Sequence, residues 1–200
     1  MRAILLQLVL PACLGNLGCS IASAQWRVGI EAGADRFWGG SLETSSDHRS
    51  FRPYRPTIFG IGVERRDNKL AIGLQVHYSE SSLALEGKDA VVAVDGVFQT
   101  VGFSPEAAYR LARIGGDNEL RVHVGPLVEV WSIIDEEARV RLGGQAALSL
   151  DVPLGGKLNG SFLAGAAAVP SPFNEDELDD GYELRALWRR RFAVGLEYRL

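Results

Sequence analysis

His77-Tyr78-Ser79-Glu80 sets a base, a hydroxyl and a carboxylate within one short stretch. His77 could act as general base to a Ser79 nucleophile while a carboxylate orients the ring, the arrangement that makes a serine hydroxyl reactive. Residues two apart share a face of an extended strand, so the spacing permits the pair. A second group runs from His48 to Arg55 and interleaves Arg49, Arg52 and Arg55 with Phe51 and Tyr54. Guanidinium forks of this kind suit oxyanions, although a solvated loop explains the same composition. A third group, Asn174 to Gly181, is dense in carboxylates that could hold a hard cation. Its spacing does not follow a calcium-binding loop, and a solvated acidic loop accounts for it. The chain has no glycine-rich phosphate loop, HExxH or CxxC, and Gly60-Ile61-Gly62 lacks the third glycine of a nucleotide fingerprint. No cofactor and no metal are expected.

What must position these groups is a β-rich chain. Glycine makes up 23 of the 200 residues, charged residues 23%, and the formal net charge is −4. The length suits one domain, and the absence of a basic excess argues against a nucleic-acid partner. Residues 1–24 have the form of a signal peptide. Arg2 precedes the apolar run Ala3 to Pro11, and Ala22-Ser23-Ala24 offers small residues before a cleavage point. The run is too short and too interrupted to be a spanning helix. Cys13 and Cys19 both fall inside this segment, so a domain formed by 25–200 would contain no disulfide and no thiol ligand.

Beyond it the chain alternates. Phe192, Val194, Leu196, Tyr198 and Leu200 stand on one face of the last stretch, opposite Arg191, Ala193, Gly195, Glu197 and Arg199. A spanning β-strand needs about 9 to 11 such residues. Upstream, Val28, Ile30, Ala32 and Ala34 oppose Arg27, Gly29, Glu31, Gly33 and Asp35, and Phe59, Ile61 and Val63 oppose Gly60, Gly62, Glu64 and Arg66. The pattern recurs over 70–79, 101–111, 120–130, 139–151 and 158–166. Eight such segments, joined alternately by long polar stretches (39–55, 80–97, 169–183) and tight turns at 67–68, 115–118 and 153–156, predict an all-β chain: an eight-stranded antiparallel up-and-down transmembrane β-barrel. The connection at 135–138 is the one short loop on the long-loop side. Pro105 and Pro126 each remove a ladder donor, and local bulges are expected there.

Backbone groups facing lipid must all be paired, so the sheet must close. The face turned inward then carries Glu31, Glu64, Glu106, Arg110, Arg121, Glu129, Arg139, Arg141, Glu197 and Arg199, an expected ladder of ion pairs plugging the lumen. A barrel of eight strands is only just wide enough for side chains to fill. A small-solute pore is the alternative.

The chain resembles the small outer-membrane barrels of OmpA/OmpX type in its cleavable signal, its eight amphipathic strands and its C-terminal segment Phe192 to Leu200. The resemblance implies an outer-membrane location, insertion by the barrel-assembly machinery through Phe192, Val194, Leu196, Tyr198 and Leu200, contact with outer-membrane lipids and lipopolysaccharide, and a structural or surface-interaction role for the loops. A monomer is favoured. Leu200 departs from the aromatic residue usual at the last position. His77 and Ser79 also invite comparison with outer-membrane lipid A deacylases. In this chain Glu80 replaces the asparagine which that family carries after the serine, and the alternation turns both residues toward the lumen. Arg189-Arg190-Arg191 falls near the membrane interface opposite the C-terminus, with Arg191 facing inward toward an ion-pair partner.

Overall fold

The structure, a computed structural model, describes residues 25–43, 50–86, 91–133, 137–174 and 181–200. The expected signal segment, Arg49 and all of the acidic run but Asn174 and Gly181 lie outside them. The described residues form ten strands: β1 (Gln25–Trp38), β2 (Ser41–Glu43), β3 (Ser50–Asp67), β4 (Leu70–Glu86), β5 (Val91–Ile114), β6 (Asn118–Ile133), β7 (Arg139–Gly155), β8 (Leu158–Val169), β9 (Tyr182–Leu184) and β10 (Leu187–Arg199). Eight close an antiparallel barrel in the order β1-β10-β8-β7-β6-β5-β4-β3, while β2 and β9 pair as a separate ribbon. Closure is made by β1 against β10, from Arg27 opposite Arg199 to Trp38 opposite Trp188.

The alternation sets the barrel inside and outside. Ile30, Phe59, Ile61, Leu142, Phe162, Phe192 and Val194 are all more than half exposed, whereas Asp35, Arg121 and Glu129 are fully buried. This is the reverse of a water-soluble barrel and is what a hydrocarbon solvent requires. On β1 the outward Trp26 and Trp38 lie twelve residues apart. At about 3.3 Å per residue and about 45° of tilt they are separated by roughly 28 Å, close to the height of an apolar band between two aromatic girdles.

Two expected loops are partly sheet. The stretch 80–97 continues β4 to Glu86 and restarts β5 at Val91, with Leu83 opposite Val94 after a register shift at Ser81/Leu83. The stretch 39–55 contains β2 and the start of β3, so Arg52 and Arg55 stand on a strand rather than a loop. Above the membrane a hairpin needs paired backbone but no unbroken apolar face, and the polar residues there conceal it. Of the tight turns, the third shifts by two residues: β7 runs to Gly155, and Gly156 takes the left-handed conformation at φ 57°.

No bulge forms at the prolines. Phe103 faces Val128 and Ala107 faces Val124, so the register between them is unbroken and Pro105 falls opposite Pro126. The two missing donors thus fall at one rung and leave the pairing with β4 and β7 intact. Ser104 Oγ donates to the Pro126 carbonyl at 2.8 Å, and Gln145 Nε2 donates to Ser104 Oγ at 2.9 Å. Gly125 lets the strands approach here, since a β-carbon on it would collide with the Pro105 carbonyl oxygen. Ser104→Ala should therefore cost about 1 kcal/mol, read as a lower urea midpoint for unfolding from phospholipid vesicles, whereas Ser132→Ala, outside this rung, should not.

Candidate functional site

The lumen is layered. At the loop end it is apolar: Phe37, Phe98, Leu127, Trp131 and Leu187 are buried together with Phe173 from the connection after β8. Phe98 and Phe37 each meet Trp131 edge-on, at 5.9 and 6.1 Å between ring centres. This plug corrects the expectation that charge alone fills the interior. The alternation contains the signal for it, because Phe37 and Trp131 stand two residues beyond Asp35 and Glu129 and share their faces.

Below the plug lies a buried ion cluster. Arg191 donates to both carboxylate oxygens of Asp35, at 3.1 and 3.2 Å. Arg189 donates to Glu129, which also accepts from Trp131 Nε1 at 3.1 Å, and lies 3.5 Å from Asp35. His77 Nε2 is 3.5 Å from the same Glu129 carboxylate. A β-carbon on Gly102 would collide with the His77 ring, so glycine on β5 makes the space for it. Of this cluster the sequence singles out His77 as a base and Glu129 and Arg191 as inward charges; it places Asp35 on the inward face without a partner and groups Arg189 with the arginines at the membrane interface, whereas the structure buries Arg189 in the lumen because it stands two residues before Arg191 on the same face.

The middle of the barrel holds Glu31, 3.8 Å from Arg191, and Glu106, 3.8 Å from His123. Nearer the turns, Arg66 binds Glu64, Asp151 at 2.8 Å and Glu197 at 2.8 Å, while Arg27 reaches Glu197 at 3.2 Å. Arg110 and Arg121 both bind Glu119.

Among the described residues, the expected ladder members Arg139, Arg141 and Arg199 reach backbone carbonyls. Arg139 Nη1 donates to the Pro172 carbonyl at 2.9 Å, and Arg141 donates to the Ser171 carbonyl at 2.7 Å and to Asn174 Oδ1 at 2.9 Å. They latch the chain after β8 across the mouth, where Phe173 packs on Phe51 and Phe98. Arg199 donates to the Gly156 carbonyl at 3.4 Å. The strand ends, where loops return over the lumen, supply backbone carbonyls that a count of charges along the strands does not register.

Ser79 is buried on the lumen face with His77. The bilayer, from which an acyl ester would have to come, lies on the other side of the sheet. The β10 residues Phe192, Val194, Leu196 and Tyr198, with Leu200 just beyond the strand, all point outward.

The outer surface near the loop end has its own arrangement. Arg36 of β1 and Arg190 of β10 are directly opposite each other and both exposed. Trp38 and Trp188, one outward step further, stack at 6.4 Å, and Arg190 lies over the Trp38 ring at 4.9 Å. Arg55 is exposed on β3 and covers Tyr54 at 4.8 Å, and Arg52 Nη1 donates to the Phe37 carbonyl at 2.7 Å.

No family model matches the chain, and no curated protein matches it. Solved structures do. Neisserial surface protein A aligns at 9% identity with a TM-score of 0.60, covering 89% of this chain and 99% of its own. The outer membrane protein OprG from Pseudomonas aeruginosa aligns at 10% identity and a TM-score of 0.52 over 90% and 96% of the two chains. A major outer membrane protein from Thermus thermophilus aligns at 13% identity and a TM-score of 0.50 over 88% and 99%. At such identities the likeness is one of fold. Taken with the apolar exterior and the closed register, it identifies the chain as an eight-stranded transmembrane β-barrel with the fold of the small outer-membrane proteins.

Proposed function

We propose that this protein is a plugged outer-membrane barrel that acts at its surface, with the loop end facing out and the rim arginines holding lipopolysaccharide phosphates. The observation that carries this is the Arg36–Arg190 pair. Like charges directly opposite in a sheet repel, and among the described residues neither guanidinium has a carboxylate within ion-pair distance. They stand beside two stacked tryptophans of the kind that marks the membrane interface. An outer leaflet whose headgroups carry phosphates supplies the missing anion at that depth, and guanidinium forks match phosphate oxygens. On this reading the barrel-assembly machinery inserts the chain through the outward residues of β10. The filled lumen favours a surface role over a pore, and the burial of His77 and Ser79 favours it over an esterase.

The test is lipopolysaccharide binding to the purified barrel in non-ionic detergent. Arg36→Gln combined with Arg190→Gln should weaken it at least about tenfold, since each phosphate contact through a charged hydrogen bond contributes more than about 1 kcal/mol. The variant should still migrate as a compact form in SDS before boiling. Unchanged binding by a correctly folded double variant removes the rim from the proposal.

A further inference from the structure

The turn end of the barrel opens into a cup of about 440 Å³ whose wall carries Arg27, Arg66, Arg110, Arg113, Arg121 and Arg199. Four of these arginines form two directly opposed cross-strand pairs, Arg110 with Arg121 on β5 and β6 and Arg27 with Arg199 on β1 and β10. Sheets disfavour such pairs unless an anion lies between them.

The carboxylates present are spread thin. Glu119 is shared by Arg110, by Arg121 at 2.9 Å, by Arg113 at 3.7 Å and by Arg66 at 3.9 Å. Glu197 is shared by Arg27 and Arg66, and Asp151 also faces Arg66. With Lys157 the lining holds seven cations against Asp117, Glu119 and Asp151, and Glu64 and Glu197 behind it pair with Arg66 and Arg27, which leaves an excess of two positive charges. Arg121 is fully buried, yet its Nε has no hydrogen-bond partner among the described residues, and the same is true of Arg27 Nε. Both nitrogens are themselves closed to solvent, so what faces the cup is the outer surface of Arg27, Arg110, Arg113 and Arg199.

We propose that this cup binds a small polyvalent oxyanion, a molecule bearing two or more phosphate or carboxylate groups. Guanidinium forks that keep open surface hold such groups bidentately, and the fully buried Arg121 adds charge from behind. The volume exceeds what a single phosphate occupies and lies in the range of small-molecule sites. The paired Arg66, Asp151 and Glu197 close the cup on the lumen side, so the ligand enters and leaves by the same mouth. That this mouth faces the periplasm rests on the orientation proposed above; the site itself does not.

The test uses the full barrel in non-ionic detergent, titrated calorimetrically at constant ionic strength with pyrophosphate and, separately, with citrate. At least one should bind saturably at a single site, and R113Q combined with R199Q should weaken that binding at least about tenfold. These two arginines stand at the mouth, where Arg113 is largely exposed, so the substitutions leave the ion cluster intact, which an unchanged heat shift in SDS verifies. Pyrophosphate binding alone identifies a phosphate ligand and citrate binding alone a polycarboxylate; both support the cup. Failure of both probes at millimolar concentration, or equal binding by the folded variant, overturns it. The Arg36→Gln, Arg190→Gln barrel should bind the probes normally, so failure of the lipopolysaccharide reading and failure of the cup are distinguishable.

Discussion

Glu129→Ala is expected to destabilise the barrel by about 3–5 kcal/mol, the usual cost of breaking a buried ion pair from one side. Arg189 would lose its main partner while remaining buried beside Arg191, and Trp131 Nε1 would lose its acceptor. Among the described residues, Asp35 would remain beside both guanidiniums, with Glu31 3.8 Å from Arg191 alone. The measurement is urea unfolding from phospholipid vesicles followed by tryptophan fluorescence. A second variant separates the ion pair from simple packing. Glu129→Leu with Arg189→Met should recover most of the loss, because apolar side chains of similar volume can replace a buried pair at little cost. If Glu129→Ala alone shifts the transition by less than about 1 kcal/mol, the cluster is hydrated and its charges are not held as described.

The second large effect concerns the exterior. Val194 on β10 faces Ala32, which lies midway between Trp26 and Trp38 on β1. Val194→Arg should cost about 2–4 kcal/mol at this depth, while Tyr198→Arg, near the girdle, should cost about 0–1 kcal/mol. In water an exposed valine tolerates the same change within about 0.5 kcal/mol. The depth dependence is therefore the diagnostic quantity. Equal small costs at both positions would mean that this face does not meet hydrocarbon.

The fold was legible because one physical rule, apolar out and polar in, acts on every strand over many residues. The run from Phe192 to Leu200 shows it without interruption, and the structure places each of its alternate residues outside. Legibility fell where that rule stops. Above the membrane the outward face can be polar, so the continuation of β4 through Ser81 and Ser82 reads as loop. Pro105 and Pro126 lie 21 positions apart, and nothing local shows that the register brings them to one rung. The ion pairs were visible as inward charges but not as partners, since Asp35 and Arg191 are separated by 156 residues. Arg139 and Arg141 show the same limit. Their inward direction follows from β7, but their acceptors belong to a connection without periodicity.

That separation has a consequence for the order in which the molecule comes together. Asp35 lies on the first barrel strand, Glu129 on β6, and Arg189 and Arg191 on the last. While the sheet is still open, neither carboxylate has its guanidinium, and each keeps its hydration shell. The final seam, β1 to β10, delivers both arginines in a single event and brings Leu187 into the apolar plug. For Asp35 and its two arginines, pairing of the charges and completion of the backbone ladder therefore coincide. An unclosed sheet leaves Asp35 without the arginines of β10, so the seam that completes the ladder also completes this layer of the lumen.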